Sequence, residues 1–328
     1  MSPGFHLPAA LREIASVAAY PALGHRLHRR GWSPADLDVD LRGRVCVVTG
    51  ASAGIGRAVA RGLGERGATV VIVCRDPDRG QAARREVEAA GGRAELELAD
   101  LASIAAVRAL ADRVSARHER VHVLVNNAGV SLGERHASTD GLEKTFSTNV
   151  LGGFLLTHLL LPALARAAPA RVVHVTSAAA YGQRLDADAL LERDGRAYQG
   201  ALQYARTKRA QIELNALWVS RLGRLRGAGV TTSCVHPGLT ATLGTAQGFP
   251  RYHRAFGRIL RAPAQGADTA VWLAASPAAL GRTGELWFDR APRPLHLVPW
   301  TQSPRAEAER LWVACATLGG LTPEEARA

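Results

Sequence analysis

The sequence predicts an α/β fold, a doubly wound parallel sheet of about seven strands with helices on both faces. Two observations carry that expectation. Apolar, β-rich runs recur from residue 44 onward: RVCVVTG (44–50), ATVVIVCR (68–75), AELELAD (94–100), VHVLVNNAG (121–129), RVVHVTSAA (171–179), VTTSCVHPG (230–238) and GELWFDR (284–290). Helical stretches separate them, beginning near Gly54, Asp78, Ser103, Thr139, Gln203 and Gln265, which is the βαβ rhythm of a sheet covered on both faces.

Taken in order, residues 1–41 form a leader, 42–300 the main domain and 301–328 a C-terminal helix. In the leader, Leu7, Leu11, Ile14 and Ala18 recur at helical spacing ahead of HRLHRR (25–30). That pattern suits a helix docked on the core, or an amphipathic segment lying on an anionic membrane surface. His25 and His28 have a spacing that can hold a metal, but no cluster of Cys, His or carboxylates accompanies them. The sequence therefore predicts no metal site and a solvated basic turn. His174 alternates with apolar neighbours in the fifth strand and reads as a satisfied core or sheet-face histidine. The stretch from Ala180 to Gln203 is too long for an ordinary crossover, and together with 239–262 it reads as a cover for a substrate. In the tail, Ser303 suits an N-cap and Pro304 the first helical position.

Composition narrows the function. The net charge of +12 is spread along 328 residues without a basic run or a nucleic-acid-binding module, so no nucleic-acid partner is predicted. Cys46, Cys74, Cys234 and Cys315 lie far apart, as unpaired thiols in a reducing compartment do, and the expected location is cytoplasmic. The most apolar run, Val150–Leu164, contains His158 and Pro162 and is too short to span a bilayer. No secretory signal is recognisable.

Chemistry enters at TGASAGIG (49–56), a glycine turn between the first strand and the first helix. Gly50, Gly54 and Gly56 let the backbone turn sharply, and a helix N-terminus offers unpaired N–H groups to a pyrophosphate, as in a Rossmann-type fold. The same letters fit a GxSxG nucleophile elbow with Ser52 as a hydrolase nucleophile, but such an elbow normally follows earlier strands that build its oxyanion hole. The second strand ends in Arg75 and Asp76. Arginine there suits a 2′-phosphate and hence NADP(H), whereas a carboxylate would suit NAD(H), the less favoured cofactor.

Further residues fall at strand ends in a telling order: NNAG (126–129), Asn149, Ser177, and Tyr204 with Lys208. Lys208 is one of only two lysines in an arginine-rich chain, the other being Lys144. Together these motifs resemble the short-chain dehydrogenase/reductase superfamily, over roughly residues 42–290. CRD (74–76), the long stretch between Ser177 and Tyr204 and SCVHPG (233–238) are similar to its retinol-dehydrogenase-like branch, while YARTKRAQ (204–211), AQGADTAVWLA (264–274), FDRAPRPLHL (288–297) and the leader end GWSPADLDVDLRGR (31–44) resemble most the subgroup of SDR family member twelve within it.

The resemblance implies an enzyme interconverting a carbonyl and an alcohol on an apolar small molecule. Tyr204 would be the general acid/base, Lys208 would lower its pKa and bind the nicotinamide ribose, Ser177 would hold the substrate oxygen, and Asn149 would anchor a proton-relay water. Gly50, Ser52, Gly54, Ile55 and Gly56 would frame the pyrophosphate, with Arg75 at the adenosine phosphate. Asp100 and Leu101 would meet the adenine and Asn127 the adenosine ribose side, with Ala128 and Gly129 also at the cofactor. His236, Pro237, Gly238 and Thr240 would meet the nicotinamide end, which Tyr204 and Lys208 also border. A homo-oligomer is open by the same resemblance. A non-catalytic NADP(H)-binding regulator is the alternative on the same fold, and it would be expected to have lost Tyr204, Lys208 or Ser177. The 27 residues from Ser177 to Tyr204 exceed the spacing of ordinary members, so substrate preferences do not carry over from those.

Overall fold

A computed structural model describes residues 19–191, 198–222, 229–248, 253–254, 256–322 and 324–325. The apolar positions Leu7, Leu11, Ile14 and Ala18 lie outside them, as does part of the Ala180–Gln203 insert. Eight strands form one sheet: β1 (Val45–Thr49), β2 (Thr69–Cys74), β3 (Arg93–Leu98), β4 (Val123–Asn126), β5 (Ala170–Val175), β6 (Val230–Val235), β7 (Leu286–Phe288) and β8 (Ala291–Arg293). Their order is β3-β2-β1-β4-β5-β6-β7-β8, parallel throughout except for the β7–β8 pair.

The seven parallel strands are those the sequence predicts, and the eighth is an addition. Its turn places Asp289 at φ 50 and Arg290 at φ 56, the left-handed pair of a two-residue hairpin loop. Glycine or asparagine usually signals such a turn, and neither is present here.

Helices α1 (Ala22–Arg29), α2 (Gly54–Gly64), α3 (Pro77–Ala89), α4 (Ile104–Arg117), α5 (Gly152–Arg166), α6 (Ala187–Leu191), α7 (Gly200–Leu222), α8 (Leu243–Gly248), α9 (Pro263–Ala275) and α10 (Arg305–Leu318) accompany the sheet. The period-two alternation of each strand sends residues to both faces. Val47, Val71 and Leu124 share a core with α4, α5, α7 and α10, while Cys46, Val48, Val70 and Ile72 share another with α2, α3 and α9. All four cysteines are buried free thiols.

Two helix starts differ from expectation. The region predicted to begin near Thr139 becomes helical only at Lys144, because the buried Glu143 carboxylate accepts from the N–H groups of Thr145 and Phe146, each at 2.7 Å. Helix α10 starts at Arg305 rather than behind a Ser303 cap. The Ser303 hydroxyl instead accepts from the Leu185 N–H at 2.9 Å, tying the insert to the tail. The run Lys144–Arg166 has the length and hydropathy of a membrane span, yet most of it is buried inside the protein. Phe154 of α5, Trp218 of α7 and Trp312 of α10 pack there with ring centroids 4.6 to 5.6 Å apart.

Strand order reverses between β1 and β4, and in such sheets ligands bind in the crevice at the carboxyl ends of the strands on either side. Thr49 ends β1 and Asn126 ends β4, so the glycine turn and NNAG meet at that crevice.

Candidate active site

The glycine turn is built for close approach. Gly50 and Gly54 have φ of +64 and +56, which side chains strain to adopt, and a Cβ at Gly56 would overlap the Gly50 carbonyl oxygen and the Asn127 amide. Asn127 Nδ2 donates to the carbonyls of Thr49 at 2.8 Å and Gly50 at 3.3 Å, bracing the turn from β4. The Thr49 hydroxyl accepts from the N–H groups of Asn127 and Ala128, both at 3.0 Å, a role the sequence reading did not assign. Helix α2 begins behind Ala53 with no side-chain cap, so its first N–H groups face the crevice ready for an anion. Its mouth, the uncapped terminus and the bare glycine backbone fit a pyrophosphate.

Around this turn the other predicted positions divide. The Ser52 hydroxyl pairs with the Cys74 thiol, which is no general base for an elbow nucleophile. Arg75 is exposed, with a guanidinium nitrogen 3.8 Å from the Asp100 carboxylate. Asp76 is committed elsewhere: it caps α3 by accepting from the Arg79 N–H at 3.0 Å. Asp100 accepts from the Ala102 N–H at 3.0 Å, whereas the Leu101 side chain is buried in the core. Ile55 packs half-buried against the second core, and Gly129 is exposed beside Asn149 and Lys208.

At the far end, Thr240 is turned inward. It is buried, donates to the Pro237 carbonyl at 3.0 Å and fills the space above Gly266. Gly238 has φ +70, and His236 stacks on Phe288 at 4.3 Å.

The catalytic candidates converge between β5 and α7. Ser177 follows β5, and its hydroxyl pairs with the Tyr204 phenol. Burial raises the phenol's pKa and the Ser177 hydrogen bond lowers it, with a net rise. Lys208, one helical turn along α7, is 3% exposed and its ammonium lies 5.6 Å from the Tyr204 ring centroid. Burial brings that ammonium down to about 8. It donates to the Val175 carbonyl at 2.9 Å and to Gln211 Oε1 at 3.2 Å.

Asn149 occupies a single π-helical turn, Ser147–Leu151, a distortion often found at functional sites. Its Oδ1 accepts from the Val130 N–H at 2.8 Å and its Nδ2 donates to the Val130 carbonyl at 2.9 Å and the Thr207 hydroxyl at 3.0 Å. Gln211 Nε2 donates to the Asn149 carbonyl at 2.7 Å. One glutamine thus links the ammonium of Lys208 to the backbone of Asn149. Sequence reasoning missed it, although its place three residues beyond Lys208 on the same helix face was the available signal.

Two histidine expectations are corrected. His174 is buried and only partly satisfied: its Nδ1 lies 3.4 Å from Asn126 Nδ2, and its Nε2 has no hydrogen-bond partner among the described residues. Burial, helped by the charge of Lys208, lowers it to about 4 and keeps it neutral. His25 is buried and His28 bonds Asp289 at 2.7 Å, so HRLH is a docked segment rather than a solvated turn.

A family model described as short chain dehydrogenase matches residues 44–187. Dehydrogenase/reductase SDR family member 12 of Bos taurus is 37% identical over 296 residues, covering 89% of this chain and 91% of that protein. The chain belongs to the short-chain dehydrogenase/reductase family. Retinol dehydrogenase 11 of Mus musculus is 35% identical over 86% of this chain and 88% of that protein, which agrees with the retinol-dehydrogenase-like branch. A putative daunorubicin C-13 ketoreductase from Streptomyces sp. (strain C5) is 38% identical over 86% of this chain and 94% of that protein. Among solved structures, the RhlG/NADP active-site complex of Pseudomonas aeruginosa has a TM-score of 0.61 at 31% identity, covering 75% of this chain and 94% of that one. The protein is therefore an oxidoreductase of this family, with a nicotinamide cofactor and a small-molecule substrate.

Proposed function

We propose that the protein interconverts a carbonyl and an alcohol on an apolar small molecule, using NADP(H), with Tyr204 as general acid/base. The observation that carries this reading is the grouping of the Ser177 hydroxyl, the Tyr204 phenol and the Lys208 ammonium, with Lys208 beside Gly129 of the NNAG stretch. When bound, the cofactor supplies or accepts the hydride. The chain's own residues handle the proton. Ser177 donates a hydrogen bond to the substrate oxygen and steadies its developing negative charge. Tyr204, kept protonated at neutral pH by its raised pKa, delivers its proton to that oxygen in reduction. The Lys208 ammonium then stabilises the phenolate, and Gln211 and Asn149 fix that ammonium in place.

The preference for NADP(H) over NAD(H) is supported by Arg75 at the end of β2 and by the capping duty of Asp76, which leaves the arginine as the group able to meet a 2′-phosphate. The pyrophosphate would lie on Gly50, Ser52, Gly54, Ile55 and Gly56, with Asp100, Leu101, Asn127, Ala128 and Gly129 along the adenosine half and Pro237 and Gly238 at the other end. An apolar substrate accords with the substrate named for one relative, retinol. The three-part division at residues 41 and 300 and the cytoplasmic location belong to the same proposal.

A peripheral contact with an anionic membrane is supported by one face of α1, where Leu23 and Leu27 are 65% and 51% exposed and Arg26 and Arg30 flank them. Sedimentation with anionic and zwitterionic vesicles tests it, and light scattering tests the homo-oligomer. The reaction itself is tested by following nicotinamide fluorescence against apolar aldehydes, ketones and alcohols, with NADPH and NADH side by side. Turnover with NADPH on a carbonyl is expected, and nucleotide binding without turnover of any substrate would favour a regulatory protein instead.

A further inference from the structure

The stretch 239–262 leaves the sheet after β6 and returns to where it began. Arg261 N–H donates to the Leu239 carbonyl at 2.7 Å, and Ala241 N–H donates to the Arg261 carbonyl at 2.9 Å, so the two ends are joined by backbone hydrogen bonds. That junction is held from the leader. The Tyr20 carbonyl accepts from Leu239 N–H at 3.1 Å and from Arg261 Nε at 2.7 Å, and the Ala19 carbonyl accepts from Arg261 Nη2 at 2.8 Å. Ala22 N–H donates to the Ile259 carbonyl at 2.9 Å.

The other half of the lock is ionic and buried. Arg261 is 1% exposed and forms a two-pronged pair with Asp289, at 2.6 and 2.7 Å, while His28 of α1 bonds the same carboxylate at 2.7 Å. Burial pushes the Asp289 carboxyl up, but the hydrogen bonds and charges of Arg261 and His28 outweigh it and hold the group below its ordinary value. The Tyr20 ring packs edge-on against His236 and Phe288, each at 5.0 Å. A Cβ on Gly238 would lie 2.8 Å from the Tyr20 carbonyl oxygen. The His236–Gly238 turn is thus enclosed by the leader, Phe288 and Arg261.

A charged pair this deep is costly to bury, and removing either partner leaves the other stranded. Its placement at one junction, where leader, sheet end and the 239–262 excursion meet, indicates what the cost secures. We infer that Tyr20 and His28 of the leader, with Arg261 and Asp289, are positioning residues of the active site. They pin both ends of the 239–262 excursion and fix the His236–Gly238 turn. The catalytic half of this inference rests on the proposed function, which sets that turn beside the nicotinamide and the excursion beside the substrate.

The test separates the two halves. In Tyr20→Ala, and in Gly24→Val, whose new side chain would overlap the Ala19 carbonyl, the amides of Ala241 and Arg261 should exchange with deuterium about tenfold faster or more. His28→Leu removes a single bond and should give a smaller increase in the same peptides. Leu23→Ala, on the exposed face of α1, should leave exchange unchanged. In the first two variants KM for the carbonyl substrate should rise about tenfold, while the Kd for NADPH should rise by a smaller factor, because the glycine turn is untouched and only the His236–Gly238 turn at the nicotinamide end is loosened. Unchanged exchange in both Tyr20→Ala and Gly24→Val overturns the clamp. Faster exchange with unchanged KM overturns the role of the junction in the site, and the fault then lies with the placement of substrate rather than with the clamp.

Discussion

Replacing Lys208 with methionine removes a cation from a site that is 3% exposed while keeping a side chain of similar length. Burial lowers the ammonium in the folded protein from 10.5 to about 8. At about 1.4 kcal/mol per pH unit, this is roughly 3 kcal/mol held against folding at neutral pH. Below about pH 8 the folded and unfolded chains are both protonated here, and the folded state carries the whole penalty. Between about 8 and 10.5 the unfolded chain keeps its proton and the folded chain releases it, so wild-type stability gains on the variant as pH rises. The lost hydrogen bonds to Val175 and Gln211 offset part of the variant's advantage, by an amount that does not depend on this titration. Urea unfolding of both proteins at several values from pH 7 to 10.5 measures the difference. The stability of Lys208→Met relative to wild type should fall by roughly 3 kcal/mol across that interval, and the variant should be inactive throughout. A difference that stays constant with pH would refute a charged lysine strained by burial.

Other outcomes follow from the same geometry. Arg75→Ala should weaken NADPH about tenfold or more relative to its effect on NADH, measured by fluorescence titration, and equal losses would argue against a 2′-phosphate contact. Gln211→Leu leaves the Asn149 carbonyl and the Lys208 ammonium each without one partner. It should lower kcat about tenfold with little change in KM and displace the alkaline limb of the pH profile, whereas an unchanged profile would make Gln211 a packing residue only. Gly56→Val would collide with Gly50 and Asn127 and should raise the Kd for NADPH about tenfold or more, read by titration without any substrate.

What the sequence revealed was what short spacing encodes. The glycine turn and the Tyr204–Lys208 pair are each confined to a few consecutive residues, and the parallel strands announce themselves by continuous apolar runs. Contacts between distant residues were not legible in that way. His28 reads as a solvated histidine until Asp289, 261 residues away, is brought beside it. The β7–β8 hairpin escaped notice because Asp289 and Arg290 take left-handed conformations without the usual glycine, held in part by Arg261. Glu143 and Ser303 show a similar limit at helix ends. Local propensity favours Thr139 and Ser303 as starting points, but tertiary partners recruit Glu143 to the first and divert Ser303 to the Leu185 backbone.

The central claim is that the Tyr204 phenol is the proton donor, and Tyr204→Phe removes only that oxygen. With NADPH and a carbonyl substrate in a single-turnover experiment, hydride transfer should slow by about 10²- to 10⁴-fold while the Kd for NADPH is unchanged. Transfer at the wild-type rate in Tyr204→Phe would contradict the account.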